Sequence, residues 1–429
     1  MKPEIAIIGG GYAGLACAVT LARADVRVTV FESSRVLGGR ARVVEKDGSR
    51  IDNGQHIMIG AYSQTLQLMR QVGVSPKWLE TRPLTMHYPG RMHLKAANLP
   101  SPLHLAVGLL RASGLDWKDR FAAARLIRYL KKRKWQLGAD KPVTNLLLDA
   151  GQTPRLRELL WEPLCIAALN TPPRRASAQV FANVLRDSLG AGASASELLL
   201  PRVDLSELFP VPAARWLAMH GHRVSTLDQI KGIRIEDGVF WLDGGPKWAG
   251  FHDVVIATAP YHALPLIEPF PELARLRQQI EALEYEPILT TYLAYDESVR
   301  LPEPMIGMSG GHIQWLFDRA QFGGPPGLLA AVISAHGPHE ALDKAELEVL
   351  IQEEIHTLLG RLPPPQWIKT IVEKRATFAC TPGLDRPSHR TAVPGLWLAG
   401  DYVAGDYPAT LEGATRSGVR TAQAVLGAL

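Results

Sequence analysis

An apolar run, Ile5-Ala6-Ile7-Ile8, passes directly into Gly9-Gly10-Gly11-Tyr12-Ala13-Gly14. Such a run suits a buried strand of a parallel sheet, and the glycines that follow suit a tight turn into a helix. Gly9 permits the turn, Gly11 lets main chain approach a pyrophosphate, and Gly14 lets the new helix close on the sheet. The unpaired amides of Tyr12, Ala13 and their neighbours at the helix start attract phosphate charge. Leu15, Ala18, Val19 and Ala22 carry the helix on at helical spacing. A second strand, Val26 to Phe31, ends at Glu32, 18 residues beyond Gly14, where an acid can bind ribose hydroxyls. Strand, glycines, helix, strand and acid in this order point to a dinucleotide-binding α/β unit. They leave FAD and NAD both open.

The next segment bears on that choice. Leu37-Gly38-Gly39-Arg40 follows Glu32 closely and resembles the doublet-glycine stretch that lies along FAD in glutathione reductase-like flavoproteins. The resemblance implies that Gly38 and Gly39 line the cofactor and that Arg40 neutralises pyrophosphate charge. Asp52-Asn53-Gly54-Gln55-His56 resembles the family segment that brings main chain up to the isoalloxazine ring. Gly54, Gln55 and His56 are then flavin-facing, and His56 is also a candidate catalytic residue.

A matching half stands at the other end of the chain. Gly395-Leu396-Trp397-Leu398-Ala399-Gly400-Asp401 reads as a turn, a buried strand and an acid, and Pro408-Ala409-Thr410-Leu411-Glu412-Gly413-Ala414 as the start of the last helix. By the same resemblance Gly400 and Asp401 meet the ribityl chain. Amides at Thr410, Leu411 and Glu412 point at the flavin pyrimidine edge, where a helix dipole stabilises negative charge. Two half-sites about 350 residues apart make the cofactor domain discontinuous. Between them, His222-Arg223-Val224 and Gly232 to Trp241 suggest short antiparallel strands, with Val224 at the cofactor, and Asp253 to Pro260 suggests a strand ending beside the adenosine half. The expected architecture is an α/β, Rossmann-like FAD-binding domain of residues 1–75, 205–285 and 385–429. An inserted α+β substrate domain takes 76–204 and 286–384.

Composition narrows the class further. A hydrophobic share of 46% with 21% charged residues describes a folded globular protein. Cys17, Cys165 and Cys380 lie far apart, which argues against a disulfide framework or a zinc site and fits a reducing cytoplasmic compartment. Met1-Lys2-Pro3-Glu4 runs straight into the first strand, with no room for a secretory signal. The most apolar stretch, near Leu99 to Leu110, is broken by prolines and a histidine, so membrane contact is expected to be peripheral.

The net charge of +5 is uneven: Arg111 to Lys141 holds ten Lys or Arg against three Asp. From Lys118 to Leu137 a helical projection gathers Ala123, Leu126, Ile127, Leu130 and Leu137 on one face and sets Arg125, Arg128 and Lys132 opposite. With Trp117 and Trp135 at its flanks, this helix suits an anionic membrane surface. An ordinary surface helix explains the same spacing. No nucleic-acid fold or aromatic stacking platform accompanies the charge.

The middle of the chain is more distinctive than its glycines. Ala168-Leu169-Asn170-Thr171-Pro172-Pro173, Ala176 to Phe181, Asn183 to Leu189 and Leu198 to Pro210 resemble the hydroxysqualene dehydroxylases, squalene-associated flavoproteins of bacterial hopanoid pathways. These belong to the flavin amine oxidase and phytoene desaturase superfamily. Ala404 to Pro408 is shorter than the approach to the last helix expected of that family. The resemblance implies a lipophilic isoprenoid substrate, an external electron donor, and reductive loss of an allylic hydroxyl with hydride delivered from reduced flavin N5 to the cation. An acid must protonate the departing oxygen, and His56 and Asp187 are the candidates, with Arg186 as charge partner to Asp187. A structural ion pair is the alternative for those two. A carotenoid-type desaturase uses the same cofactor site in the opposite redox sense. A non-catalytic lipid-binding flavoprotein is the reading from another class. An amine oxidase fits less well, because Gly400 to Gly413 offers no cysteine for covalent attachment.

Overall fold

The computed structural model describes residues 4–46, 48–244 and 250–429. Its first layer is a five-stranded parallel sheet ordered Arg223–Thr226, Arg27–Glu32, Glu4–Ile8, Asp253–Ile256 and Leu396–Leu398. Ile8 lies beside Phe31 on one flank and Ile256 on the other, and Ile256 lies beside Leu398. Strands from the start, middle and end of the chain therefore finish at one edge. The apolar runs are continuous because helices cover both faces, and Ile5, Ile7, Val28, Val30 and Val255 are fully buried.

Arg223–Thr226 corrects one expectation. It is a parallel member of this sheet, pairing with Thr29 to Glu32, because helix Pro210–Met219 carries the chain back before it enters and a crossover delivers a parallel strand. Gly232–Glu236 and Val239–Asp243 do form an antiparallel pair.

Helix Tyr12–Arg23 packs against the closing helix Leu411–Leu426. The approach needs glycine: a Cβ on Gly418 would stand 2.1 Å from the Ala13 carbonyl oxygen, and one on Gly14 would stand 2.0 Å from that of Gly9. The second layer is a five-stranded antiparallel sheet ordered Met305–Gly307, Trp315–Asp318, Leu328–Ser334, Tyr285–Ala294 and Trp367–Phe378. Side chains alternate across it. Leu289 and Leu293 pack with Ile351 and Ile355 of helix Lys344–Leu359, while Thr290 and Tyr292 turn the other way, toward residues 52–55. That face of the sheet backs the site.

Candidate active site

The opening loop forms as the glycines require. Gly9 has φ +117°, and a Cβ there would lie 2.6 Å from the Ala257 carbonyl oxygen. Glu32 sits under the loop, its Oε2 accepting from the Gly10 amide at 2.7 Å and its Oε1 from the Ser34 amide at 2.7 Å. Gly38 reaches the same loop through its amide, which donates to the Gly10 carbonyl at 2.9 Å. Between Gly11 and Gly39 the structure leaves room. A Cβ on Gly11 would meet nothing nearer than Gly39 Cα at 3.9 Å, and one on Gly39 nothing nearer than Gly11 Cα at 3.4 Å. Tyr12 turns away from this space, its ring 5.2 Å from that of Phe209. Val224 lies on the outer strand beside Val30.

Arg40 and Asp401 converge across 361 residues. The Arg40 Nη2 lies 2.7 Å from both carboxylate oxygens of Asp401, and Nη1 donates to the Ala376 carbonyl at 2.7 Å. Asn53 Nδ2 donates to the Arg40 carbonyl at 3.1 Å, so the Asn53–His56 turn joins the same cluster. Gly400 is held by its amide donating to Ser417 Oγ at 3.0 Å. The Thr410 hydroxyl caps the closing helix by accepting from the Gly413 amide at 3.0 Å, and Leu411 begins that helix, buried. The fully buried Glu412 carboxylate caps a different helix, Ser63–Gln71, taking the Gln64 and Thr65 amides at 3.1 and 3.0 Å and the Thr65 hydroxyl at 2.8 Å. With its side chain so engaged, the main chain of Glu412 is what it can present to a cofactor.

The cluster fits a flavin dinucleotide. The open space beside Gly11 and Gly39 suits phosphate against main chain. Thr258 Oγ1 and Tyr402 OH, which follow the strands Asp253–Ile256 and Leu396–Leu398, are buried without a hydrogen-bond partner among the described residues. Buried hydroxyls normally find partners, and a ligand along this edge would supply them.

His56 and Asp187 lie in different settings. His56 Nδ1 is 2.9 Å from the Gly54 carbonyl oxygen, which can only accept, so Nδ1 carries the proton and Nε2 the lone pair. Burial pushes the imidazole below the ordinary histidine range, and the positive charge of Arg40 adds to this against the Gly54 bond. Asp187 lies against the closing helix. Its Oδ1 accepts from Arg186 Nε at 2.6 Å and its Oδ2 from Arg416 at 3.3 Å, while Arg186 and Arg420 both hold Asp406. Both Asp187 oxygens are thus engaged by guanidinium groups, and Asp406, on the shortened approach, completes an ion-pair chain.

Three arginines in and around the site were not singled out from the sequence. Arg416 links Glu412 to Asp187. Arg386 donates to the carbonyls of Asp401, Tyr402, Val403, Gly405 and Tyr407, wrapping the closing loop around one guanidinium. Arg319 reaches Gln55 and Asp52. Arg319 finds its partners only after distant segments meet and Arg386 only after the closing loop folds back on it, while Arg416 has Glu412 four residues before it on the helix but meets Asp187 from far along the chain. The basic helix differs in part from expectation. It spans Trp117–Lys132 and buries Ala122, Ala123, Leu126 and Leu130. Trp135 is buried too, because the chain turns inward after the helix, and Arg125 is tied to the Ala150 and Gly151 carbonyls.

This nucleotide-binding sheet, with a flavin-compatible cluster at its edge and a second sheet behind it, defines an FAD-dependent oxidoreductase. Residues 12–426 match the flavin containing amine oxidoreductase family, and the chain belongs to that family. It is 30% identical to the hydroxysqualene dehydroxylase of Rhodopseudomonas palustris over 100% of this chain and 99% of that one. The enzyme of that name from Sinorhizobium fredii is 29% identical, over 99% of each chain. A zeta-carotene desaturase of Synechocystis is 24% identical over 99% of this chain and 97% of its own. Among solved structures, an oxidoreductase from Methanosarcina mazei superposes with a TM-score of 0.77 at 16% identity, covering 98% of this chain and 100% of that one, a likeness of fold.

Asp52, at the head of the Asn53–His56 turn, titrates unusually. It is 4% exposed, and burial raises its carboxyl to about 6, against the Leu205 amide and Arg319, with Asp204 raising and Arg50 lowering it further. A folded-state value above the unfolded one favours the fold most at low pH, and the contribution is lost as pH rises through about 6. Asp52→Asn, which stays neutral, is therefore expected to gain up to about 3 kcal/mol on wild type between pH 4 and 7.5. Urea unfolding of both proteins at several pH values measures the difference; parallel curves would show that Asp52 does not titrate in this window.

Proposed function

We propose that this enzyme carries out the reductive dehydroxylation of hydroxysqualene to squalene. The observation that carries this reading is similarity to hydroxysqualene dehydroxylases over the whole chain at about 30% identity, with no large segment left for another activity. The C–O bond of the allylic alcohol breaks as its oxygen takes a proton and leaves as water, and a hydride closes the resulting cation. FAD, in its reduced form, supplies that hydride, and an external electron donor must restore it.

The protein's share is to orient the alcohol, exclude water and hold the proton. His56 is the acid this reading favours, because it stands in the flavin-side turn whereas both Asp187 oxygens are held by arginines. Neutral His56 has a lone pair at Nε2, so it must first take up a proton there. Its lowered pKa places that charged form below the ordinary 6.5. The second reading, isoprenoid desaturation, draws on the similarity to zeta-carotene desaturase.

A lipophilic substrate also favours docking at a bilayer. No helix among the described residues is long and apolar enough to cross one. Leu103, Leu110, Trp117 and Phe121 are 52%, 53%, 60% and 70% exposed on two successive helices, Leu103–Arg111 and Trp117–Lys132. Arg111, Lys118, Arg128 and Lys132 are exposed alongside. Apolar side chains with basic neighbours suit an anionic surface, each basic residue adding roughly 1 kcal/mol.

Anaerobic incubation of chemically reduced protein with hydroxysqualene is expected to yield squalene. Its absence despite full flavin loading removes the dehydroxylase reading, and bleaching of oxidised protein by a carotenoid precursor would install the desaturase in its place. The rate should climb as pH falls below about 6.5, and His56→Gln should abolish that limb; a profile unchanged by the substitution excludes His56 as the acid. Replacing Trp117 and Phe121 by serine should lower co-sedimentation with phosphatidylglycerol vesicles at least as much as Arg128→Gln with Lys132→Gln. Equal sedimentation of all variants and wild type would return these helices to ordinary surface.

A further inference from the structure

The flavin-side turn is short and irregular, yet both ends of its Gln55 side-chain amide are engaged. Gln55 Oε1 accepts from Arg319 Nη1 at 2.9 Å, and Gln55 Nε2 donates to the His56 carbonyl at 3.0 Å. Arg319 Nη2 lies 3.8 Å from Asp52 Oδ2, and its side chain is 12% exposed. One guanidinium therefore spans the residue that enters the turn and the residue at its middle.

Arg319 is itself rigidly based. It opens a single turn, Arg319–Phe322, that ends strand Trp315–Asp318 of the antiparallel sheet. The fully buried Asp318 fastens that turn by accepting from the Ala320 and Leu301 amides, both at 3.1 Å, and from Gln321 Nε2 at 3.0 Å. Gly323, at φ +94°, packs against Arg202, where a Cβ would meet the carbonyl oxygen at 2.5 Å. The Phe322 ring lies 4.8 Å from the guanidinium carbon. A planar guanidinium with donors on two sides can bridge an amide and a carboxylate in one fixed geometry, whereas a lysine ammonium is a point charge on a flexible stem.

From this geometry we infer that Arg319 is a positioning residue for the flavin reaction, acting through Gln55 and Asp52 to hold the Asn53–His56 turn from the substrate-side sheet. The inference rests on the reading that this turn meets the flavin. Thr290 Oγ1, 3.4 Å from the Gln55 amide, and Tyr292 OH, 3.2 Å from the Asp52 carbonyl, come from the same sheet and converge on the same turn. A strut of this kind sets the placement of reacting groups, and small misplacements lower the chemical step more than binding.

The test compares FAD-loaded wild type with Arg319→Met, Arg319→Lys, Gln55→Leu and the double variant Arg319→Met with Gln55→Leu. Arg319→Met is expected to keep FAD and shift its visible absorption bands. Amide exchange across residues 53–57 should accelerate about tenfold, and kcat should fall about tenfold to a hundredfold with KM within about twofold. Lysine should restore less than half of the loss. The double variant should lose no more than the worse single one, since both substitutions cut one link. Unchanged bands and exchange in Arg319→Met, or losses that multiply in the double variant, would overturn the inference. If Arg319→Met fails to fold, Arg319→Lys and Gln55→Leu decide it by the same spectrum and exchange. Should wild type hold FAD yet make no squalene, the dehydroxylase reading falls alone, and the absorption and exchange measurements still judge the strut.

Discussion

The Arg40–Asp401 pair is the contact on which the rest of the site depends. It joins the glycine-doublet segment near one end of the chain to the closing loop near the other, while the second Arg40 nitrogen binds the Ala376 carbonyl. One side chain thus gathers the nucleotide layer, the closing loop and the antiparallel sheet. Asp401 is 7% exposed, and a carboxylate withdrawn from water needs a partner of opposite charge and further hydrogen bonds. Arg386 meets the remaining demand of the loop from the other side, engaging five of its carbonyls. The loop carries no regular secondary structure of its own between Asp401 and Thr410, so these two arginines do for it what a sheet ladder does elsewhere.

How far a site can be read from sequence depends on what holds it. The adenosine-side half is a matter of main-chain conformation and close approach. Gly9, Gly14 and Gly418 stand where any Cβ would strike a carbonyl oxygen, and such requirements leave a local mark in the chain. The opening strand, its helix, the second strand ending at Glu32 and the closing strand were legible for that reason. The half around the Asn53–His56 turn and the closing helix is held by side chains paired over more than a hundred residues, among them Glu412 with Thr65, Arg319 with Gln55 and Asp187 with Arg416. An arginine in an irregular segment carries no spacing that distinguishes it from a solvated one. Asp187 and Arg186 could be picked out as a charged pair, but the two further partners that engage them, Arg416 and Asp406, lie far along the chain. Trp135 shows the same limit at the surface: a tryptophan beside a basic helix reads as exposed until the turn after Lys132 carries it inward.

The two halves also differ in what holds them. Near the glycines close main-chain approach dominates, with the Glu32 carboxylate accepting from the Gly10 and Ser34 amides. Around the Asn53–His56 turn, Asp52 has its carboxyl raised to about 6 and His56 its imidazole lowered, both chiefly by burial. Burial moves an acid and a base in opposite directions because it disfavours whichever form is charged. The two shifts therefore run in opposite directions on Asp52, which leads into the turn, and His56, which ends it. A turn that must be firm enough to set a reacting geometry and yet contain a group able to pass a proton has to separate the two duties. The structure is consistent with such a division: the Gln55 side-chain amide and the Asp52 carboxyl face Arg319, and Gly54 holds the His56 ring through Nδ1, which under the proposed function leaves Nε2 for the proton.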